Sequence, residues 1–368
     1  MTDRFAPSAR LATLLAATSL VTLPAPLLAQ PQSLQTPPVP ITVKEGVEVP
    51  ATDARTDAVV AAAQAFLATL DEAQRAAAVF PFEDNTQRAN WSNFPDGAVQ
   101  RAGVMRGDMT GDQLAALDAL LLEVLGEDGL SNVHHQLAAD DVLGAAEEDD
   151  GPGGANFGSE FYYVSFLGEP AADAPFAVQF GGHHLAVNAL FLGGEASFSP
   201  MLTGGEPLRI DYEGTPVTIA EAEYAAAMAF MASLDETQRA AAIRGNEPIN
   251  LVLGPGEFGT AVAPEGVQGA DLSEEQKALL VDVVAARLGL FNADDAEAAL
   301  EEVRAGLDDT FFAWWGPAEP LGAAYWRVTA PTAVIEYAPQ DQDGDATDHA
   351  HNMYRNPAND YGAAWIAE

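Results

Sequence analysis

The chain has 368 residues, with 16 Lys and Arg against 55 Asp and Glu, so its formal net charge at pH 7 is −39. An electric field of this sign repels phosphate, which excludes binding to nucleic acid or to an anionic membrane through a basic face. The sequence has no cysteine, which excludes a disulfide framework, a thiolate nucleophile and a cysteine-ligated metal. The hydrophobic fraction of 48% is that of a globular protein, and the length provides core for roughly two domains.

Residues 1–29 have the pattern of a secretory signal peptide. Arg4 and Arg10 precede an apolar run over residues 11–23, and small residues follow it before the predicted cleavage site. The apolar run is too short to span a bilayer. We therefore predict export to the periplasm or the extracellular space, without membrane attachment after cleavage. Residues 30–50 are predicted to form an extended, Pro-rich leader.

The remaining chain contains two similar halves. The segment Phe66–Ala78 recurs as Phe230–Ala242 with most positions identical, and Asp108–Leu117 recurs as Asp271–Leu280 at nearly the same offset. Two aromatic segments further along the chain recur in the same order. Four elements repeated in one order indicate an internal duplication.

Each half is predicted to begin with helices and to continue with strands. Ala-rich amphipathic helices are expected over residues 53–79 and 218–243, with a helix-to-helix step inside each at Leu-Asp-Glu. A second helix is expected after the N-caps Thr110 and Ser273. Aromatic strands separated by Gly and Pro turns are predicted at Phe161–Phe166, Phe176–Phe180, Leu185–Phe191, Thr310–Trp315, Ala324–Val328 and Ala333–Tyr337.

This order of elements predicts an α+β fold. We expect two tandem pseudo-symmetric repeats, each a helical pair followed by antiparallel β-strands, packed as one unit. The first repeat is predicted over residues 51–215 and the second over residues 216–340. A C-terminal tail over residues 341–368 follows.

The six histidines of the chain occur in three close pairs: His134-His135, His183-His184 and His349-Ala-His351. Neutral imidazole is a common protein ligand for zinc, copper and iron, and without cysteine only His and carboxylates can bind such ions. The second pair follows two glycines between strands, where a turn can bring both rings to one site. The second half has Pro331-Thr332 at this place, so we predict one asymmetric site, completed by the tail. For His134 and His135 we expect at most a minor functional role.

Arginine is scarce, and three arginines lie in aromatic or Asn- and Pro-rich surroundings. Arg88 is close to Trp91, and Arg106 and Arg355 lie in similar contexts. A guanidinium group binds carboxylate or phosphate through two hydrogen bonds, so these residues are candidates for holding an anionic substrate. The alternative is that each arginine pairs with a structural carboxylate.

Several motifs together indicate a known family. They are Arg88-x-x-Trp91-x-x-x-Pro95, Phe180-Gly-Gly-His183-His184-Leu185, Glu206-Pro207, Thr310–Gly316, Val334-Ile-Glu336-Tyr337, and His349-x-His351 followed by Arg355-Asn-Pro-x-Asn-Asp-Tyr-Gly362. With these motifs the chain resembles the family catalogued as domain of unknown function 3500, over nearly the whole sequence after the leader. The resemblance implies an architecture and a site, without a reaction. It implies as signature positions His183, His184, Glu336, His349, His351 and Arg355.

These observations lead to a hypothesis of a metal-dependent enzyme. His183 or His184 would bind one divalent ion together with His349 and His351, and Glu336 would act as a ligand or general base. The arginines, with Trp91, would hold a small anionic substrate. Zinc would indicate hydrolysis, and copper or iron would indicate redox chemistry.

Two alternatives stay open at this point. One is a non-catalytic periplasmic protein that binds a metal or another small ligand. The other is a scaffold in which the histidines form hydrogen bonds within the interface of the two halves, without a metal. In each case the expected partners are small molecules, and nucleic acid is not among them.

Overall fold

The computed structural model describes residues 36–146, 154–340 and 345–368. These residues belong to one compact unit, Ser33–Glu368. The predicted signal peptide and residues 30–35 of the predicted leader lie outside the described residues. Within the described part of the chain, no helix has the length and apolar character needed to cross a membrane.

The described helices fall into the two halves in a similar order. Their bounds are α1 (Ala54–Thr69), α2 (Glu72–Ala78), α3 (Asn85–Arg88), α4 (Gly111–Ala146), α5 (Glu221–Ser233), α6 (Glu236–Ala242), α7 (Glu274–Leu288), α8 (Ala293–Ala305) and α9 (Ala363–Ile366). The backbone of α4 is interrupted at Gly126, where φ is 76°. Helix α1 packs against α4, and α5 packs against α7.

The described strands form a mixed sheet and a separate two-stranded ribbon. Their bounds are β1 (Val79–Phe80), β2 (Val104–Met105), β3 (Tyr163–Leu167), β4 (Phe176–Gly182), β5 (Leu185–Leu192), β6 (Glu195–Ser197), β7 (Met201–Gly205), β8 (Arg209–Tyr212), β9 (Thr215–Thr218), β10 (Ile243–Gly245), β11 (Val267–Gln268), β12 (Phe311–Trp315), β13 (Tyr325–Thr329), β14 (Val334–Pro339) and β15 (Ala350–Arg355). The predicted α+β class is confirmed.

The order of strands across the large sheet is β1-β3-β4-β5-β7-β15-β14-β13-β12-β10. The outermost neighbours, β1 with β3 and β10 with β12, are parallel, and the inner pairs are antiparallel. The parallel pairs therefore lie at the two ends of this order of described strands, and β2, β6 and β11 pair with β3, β5 and β12 outside it. The two strands at the centre, β7 and β15, were not among the predicted strands, and β15 comes from the predicted tail.

Local hydrogen bonds explain the step between the first two helices of each half. The Asp71 side chain accepts a hydrogen bond from the backbone of Gln74, and the Gln74 side chain accepts one from the backbone of Asp71. Such a capping box satisfies the free N–H groups at a helix start. Asp235 and Gln238 form the same box in the second half. The predicted step at Leu-Asp-Glu is thus present in both halves.

The helices cover one face of the sheet, and irregular segments cover the other. On the helical face the Phe66 ring packs against Phe166, with ring centroids 6.2 Å apart, and Phe230 packs against Phe312 at 4.8 Å. On the opposite face a second apolar cluster includes Trp91 among its buried residues. Because both faces are covered, the central strands are buried along their whole length.

This packing predicts the effect of removing the helix-to-sheet contacts. Phe66 and Phe230 are both fully buried, so Phe66→Ala and Phe230→Ala should each lower the free energy of unfolding by about 3–5 kcal/mol. The control is Phe94→Ala, because the Phe94 side chain is 43% exposed, and this variant should stay within about 0.5 kcal/mol of the parent protein. Urea unfolding followed by circular dichroism measures all three. Equal losses in the three variants would contradict this account of the core.

Candidate metal centre

His183 and His184 form the two-residue turn of the hairpin between β4 and β5. Gly182 pairs with Leu185 across the hairpin, and His184 has a left-handed backbone with φ of 56°. A side chain on Gly182 would collide with the Tyr162 ring, 2.7 Å from the position of a Cβ atom. This turn brings both imidazoles to one side, and their rings stack with centroids 3.6 Å apart.

The other two histidines reach this hairpin through the centre of the sheet. His351 lies on β15, where it pairs with Gly204 of β7 and with Ala338 of β14. His349 directly precedes β15. Because β7 lies between β5 and β15, the start of β5 and the start of β15 come together at one end of the sheet. The sheet thus joins histidines that are about 165 positions apart in sequence.

The four imidazoles form one buried cluster. The Nε2 atoms of His184 and His349 are 3.1 Å apart, and ring centroids of His184 and His351 are 5.0 Å apart. Ligand nitrogens of His184, His349 and His351 all lie within 4.8 Å of one another. Ligand atoms of His183, His184 and Glu206 satisfy the same limit. The cluster can therefore hold a metal ion.

Burial keeps the imidazoles of His184 and His351 neutral. Burial, together with neighbouring histidines, holds the pKa of His184 well below its ordinary value and lowers the pKa of His351 to about 3. Neutral imidazole has a free lone pair, which is the form that binds metals. The Nε2 atom of His351 is buried and has no hydrogen-bond partner among the described residues. A metal ion would satisfy this nitrogen.

The distance between the Nε2 atoms of His184 and His349 also fits two ligands of one metal ion. Zinc-to-nitrogen bonds of about 2.0–2.1 Å in a tetrahedral arrangement place two ligand nitrogens about 3.3 Å apart. The observed 3.1 Å between His184 and His349 is close to this separation. Small movements of the rings would accommodate one ion.

Two carboxylates contact the Nδ1 atoms of His183 and His349. Oδ1 of Asp140, on α4, lies 2.7 Å from Nδ1 of His183, and its Oδ2 accepts a hydrogen bond from the backbone of Gly158. Oε1 of Glu206 lies 3.5 Å from Nδ1 of His349. Carboxylate contact at Nδ1 orients an imidazole so that Nε2 faces a metal. Sequence reasoning missed both carboxylates as site residues; the only signal was Glu206 in the Glu-Pro motif.

Comparison with known proteins assigns the chain to a family. The family described as Protein of unknown function (DUF3500) matches residues 52–363. The chain belongs to this family. The resemblance inferred from the motifs is therefore confirmed. No curated protein and no solved structure matches the chain.

Glu336, which the family resemblance implied as a site residue, lies outside both groups of possible metal ligands among the described residues. Its carboxylate is fully buried and accepts hydrogen bonds from the backbones of Val252 and Leu253 and from the Tyr325 hydroxyl. Burial raises its pKa. These contacts join an irregular segment to β14, so Glu336 serves to anchor that segment. The structure shows no contact between Glu336 and a histidine in the residues it describes.

Arg355, which the family resemblance also implied as a site residue, is fully buried. It forms an ion pair with Asp360 at 2.7 Å and donates to the carbonyls of Leu253 and Gly254. Its guanidinium lies over the ring of Trp91. The Trp91 indole donates to the Tyr361 hydroxyl at 2.9 Å. Arg355 and Trp91 therefore stabilise the C-terminal segment.

The other predicted arginines also bond within the protein. Arg88 is buried and donates to the Phe82 carbonyl and to the Asn85 side chain. Arg106 donates to the Ser159 carbonyl at 3.2 Å. Neither contacts the histidine cluster in the described part of the chain. These contacts favour a structural role of Arg88 and Arg106 over substrate binding. The acceptors are carbonyl and amide oxygens, whereas the structural alternative expected carboxylates.

His134 and His135 lie apart from the cluster, on α4. His134 contacts the Asp118 carboxylate at 3.4 Å, and the His135 ring packs against Tyr212. Neither is among the possible metal ligands of the described residues. The minor role expected from the sequence agrees with this placement.

The contact between Asp140 and His183 yields a test with a matched control. Asp140→Asn should weaken metal binding about tenfold, because the neutral amide holds the His183 ring less firmly and that ring stacks on the proposed ligand His184 with centroids 3.6 Å apart. Asp141→Asn is the control, since the neighbouring Asp141 side chain accepts from the Ser159 backbone and does not bond to a histidine in the described structure. Competition with a chromophoric chelator measures the affinity for Zn²⁺. Equal affinities of the two variants would refute the role of Asp140.

Proposed function

We propose that this DUF3500 protein is a metal-dependent hydrolase that holds one divalent transition-metal ion on His184, His349 and His351. The observation that carries the proposal is the convergence of three buried imidazoles with ligand nitrogens within 4.8 Å. The unpartnered Nε2 of His351 supports it. Imidazole nitrogens favour zinc, copper, nickel or iron over magnesium or calcium.

Three protein ligands leave a coordination position for water or substrate. A zinc ion in this place would supply Lewis acidity and make a bound water acidic near neutral pH. Glu206 is the chain's own candidate to accept that proton. Its side chain is 21% exposed, which connects the buried histidines to solvent. His183, oriented by Asp140, supplies a further nitrogen beside His184.

We also propose that the two halves arose by duplication. The mirrored order of strands supports this, as does a bond between helices that occurs twice: Gln113 donates to the Gln74 side chain, and Gln276 donates to the Gln238 side chain. Because β15 is the counterpart of β7, the second repeat would extend into the predicted tail. The metal centre would then occur once per chain, because Pro331-Thr332 replaces the histidine turn.

We also propose that the protein is exported from the cytoplasm. The pattern of residues 1–29 supports secretion to the periplasm or beyond. The net charge of −39 would attract metal cations and repel anionic macromolecules there. We propose a small molecule as the substrate.

One observation favours a non-catalytic metal-binding protein as the second candidate. The four histidines are only 5–8% exposed, so a substrate has limited access to the ion. In that case Glu206 would be a fourth ligand, closing the coordination shell. Variants at Glu206 separate the two candidates.

Metal content tests the proposal first. The mature protein, prepared without chelator or affinity histidines, should contain about one zinc, copper or iron ion per chain, as expected for a three-histidine centre. His184→Ala and His349→Ala should each lose the metal while keeping the far-ultraviolet circular dichroism of the parent. His134→Ala is the control and should keep the metal, because His134 lies outside the cluster. Inductively coupled plasma mass spectrometry measures the content, and absence of metal from the parent protein even after incubation with these ions would refute the metal centre.

A substitution at Glu206 tests the reaction. Glu206→Gln should keep the metal and lower kcat about 100-fold or more on whichever ester, lactone or phosphate ester the parent hydrolyses, because the proton acceptor is lost. Glu213→Gln, at an exposed turn of the same half, is the matched control and should retain the parent kcat. Loss of metal from Glu206→Gln would identify Glu206 as a ligand and support the non-catalytic candidate. A metal-loaded parent without hydrolytic activity on any of the three classes would support it too.

A further inference from the structure

An arginine that the sequence motifs do not single out lies beside the histidine hairpin. The guanidinium of Arg101 donates through Nη2 to the carbonyl of Gly182 at 2.9 Å. Gly182 directly precedes His183, so Arg101 is bonded to the turn that carries two of the histidines. The same nitrogen also donates to the carbonyls of Ser92 and Phe94, at 3.0 and 2.5 Å.

Arg101 forms no ion pair with a carboxylate of the residues that the structure describes. All three of its acceptors are backbone carbonyls. Its other terminal nitrogen, Nη1, is buried and has no hydrogen-bond partner in the part of the chain that the structure describes. The buried residues Arg355 and Arg327 differ from Arg101, because Arg355 pairs with Asp360 and Arg327 pairs with Glu265.

The carboxylates that act on Arg101 electrostatically are bonded to other groups. They belong to Asp96 and Asp140. Asp96 accepts from the Tyr163 hydroxyl at 3.0 Å and from Asn156 at 2.9 Å. Asp140 is bonded to His183 and to the Gly158 backbone. Neither forms an ion pair with the guanidinium among the described residues, so Arg101 retains a donor for an external acceptor.

Arg101 lines a small cavity whose walls are partly polar and partly apolar. The cavity has a volume of about 20 Å³, which is room for one water-sized group. Amide and hydroxyl side chains lie around it, from Asn90, Ser92, Ser165, Gln179 and Asn188. Gly181 and Leu185 of the histidine hairpin also line it. A guanidinium nitrogen, neutral polar groups and a small volume together match a compact anion.

We propose that Arg101 forms a binding subsite for a small anion, with space for one halide ion or for one carboxylate oxygen of a larger molecule. Burial strengthens the attraction between the guanidinium and an anion, because the surroundings screen the charges less than water does. This local attraction overcomes the repulsion from a chain of net charge −39. The carboxylate alternative rests on the proposed function, since the carboxylate would then belong to a substrate of the metal centre. In that role Arg101 replaces Arg88, Arg106 and Arg355 as the anion-binding arginine.

Diffraction and calorimetry on the full mature chain test the subsite. Crystals are soaked separately in sodium bromide and sodium formate, and bromide is located by its anomalous scattering. Calorimetric titrations with the same two salts, at constant ionic strength maintained with sodium gluconate, measure binding in solution. We expect bromide or formate within hydrogen-bond distance of Arg101 Nη1, with saturable binding in the titration.

Variants assign the binding to Arg101. Arg101→Gln should lower the affinity for the bound anion at least about tenfold, because a charge-assisted hydrogen bond is lost. Arg101→Lys keeps the charge and should retain most of the affinity. Arg106→Gln removes a nearby arginine that bonds to a carbonyl, and it should bind the anion as the parent does. If Arg101→Gln does not fold, the diffraction and titration results on the parent protein decide.

The outcomes separate the two anion sources. Bromide binding that is equal with and without metal supports a site for free halide. Formate binding that strengthens when the protein is loaded with Zn²⁺ supports the carboxylate of a substrate. A water molecule at Nη1 without saturable binding of either anion overturns the subsite, and so does an anion seen in crystals but not in solution. Metal content is measured on the same samples, so a metal-free protein that binds bromide refutes the metal centre and leaves the subsite intact.

Discussion

The antiparallel pairing of β7 with β15 is the contact on which the rest of the structure depends. Five residue pairs join these strands, from Met201 with Tyr354 to Gly205 with Ala350. This ladder unites the two halves in one sheet. It also places His351 opposite Gly204, two strands from the hairpin that carries His184. Without it the histidine pairs would lie in separate sheets, about 165 positions apart in sequence. The metal centre is thus a product of the same pairing that completes the fold.

Desolvation determines what the histidine cluster can do. Four imidazoles are buried side by side, and burial lowers the pKa of His184 and of His351 because a buried charge loses its hydration. The Nε2 atoms of His184 and His349 face each other at 3.1 Å, a separation at which both can bind one cation. Asp140 and Glu206 add negative charge behind His183 and His349. The cluster is therefore complementary to a small cation, and the cavity beside Arg101 is complementary to a small anion.

The arginines illustrate why residue type alone does not identify a binding group. Arg355 lies in the most distinctive motif of the chain, yet its donors are taken by Asp360 and by the carbonyls of Leu253 and Gly254. Arg101 lies in a segment without a recognisable motif and keeps a buried nitrogen without a partner in the described structure. The difference depends on which acceptors the folded chain brings to each guanidinium. Glu336 follows the same rule, because backbone N–H groups of Val252 and Leu253 hold its carboxylate.

The sequence by itself determined the features that depend on neighbouring residues. Capping boxes such as Asp71 with Gln74 need only a spacing of three residues, and a short run rich in aromatic residues is enough to indicate strands such as β12. The close histidine pairs were visible for the same reason. Only the tertiary structure decided that β15 is a central strand, that the pairs converge, and that Asp140 and Glu206 contact them. These contacts join distant parts of the chain, and their partners are chosen by packing and desolvation, which no local pattern records.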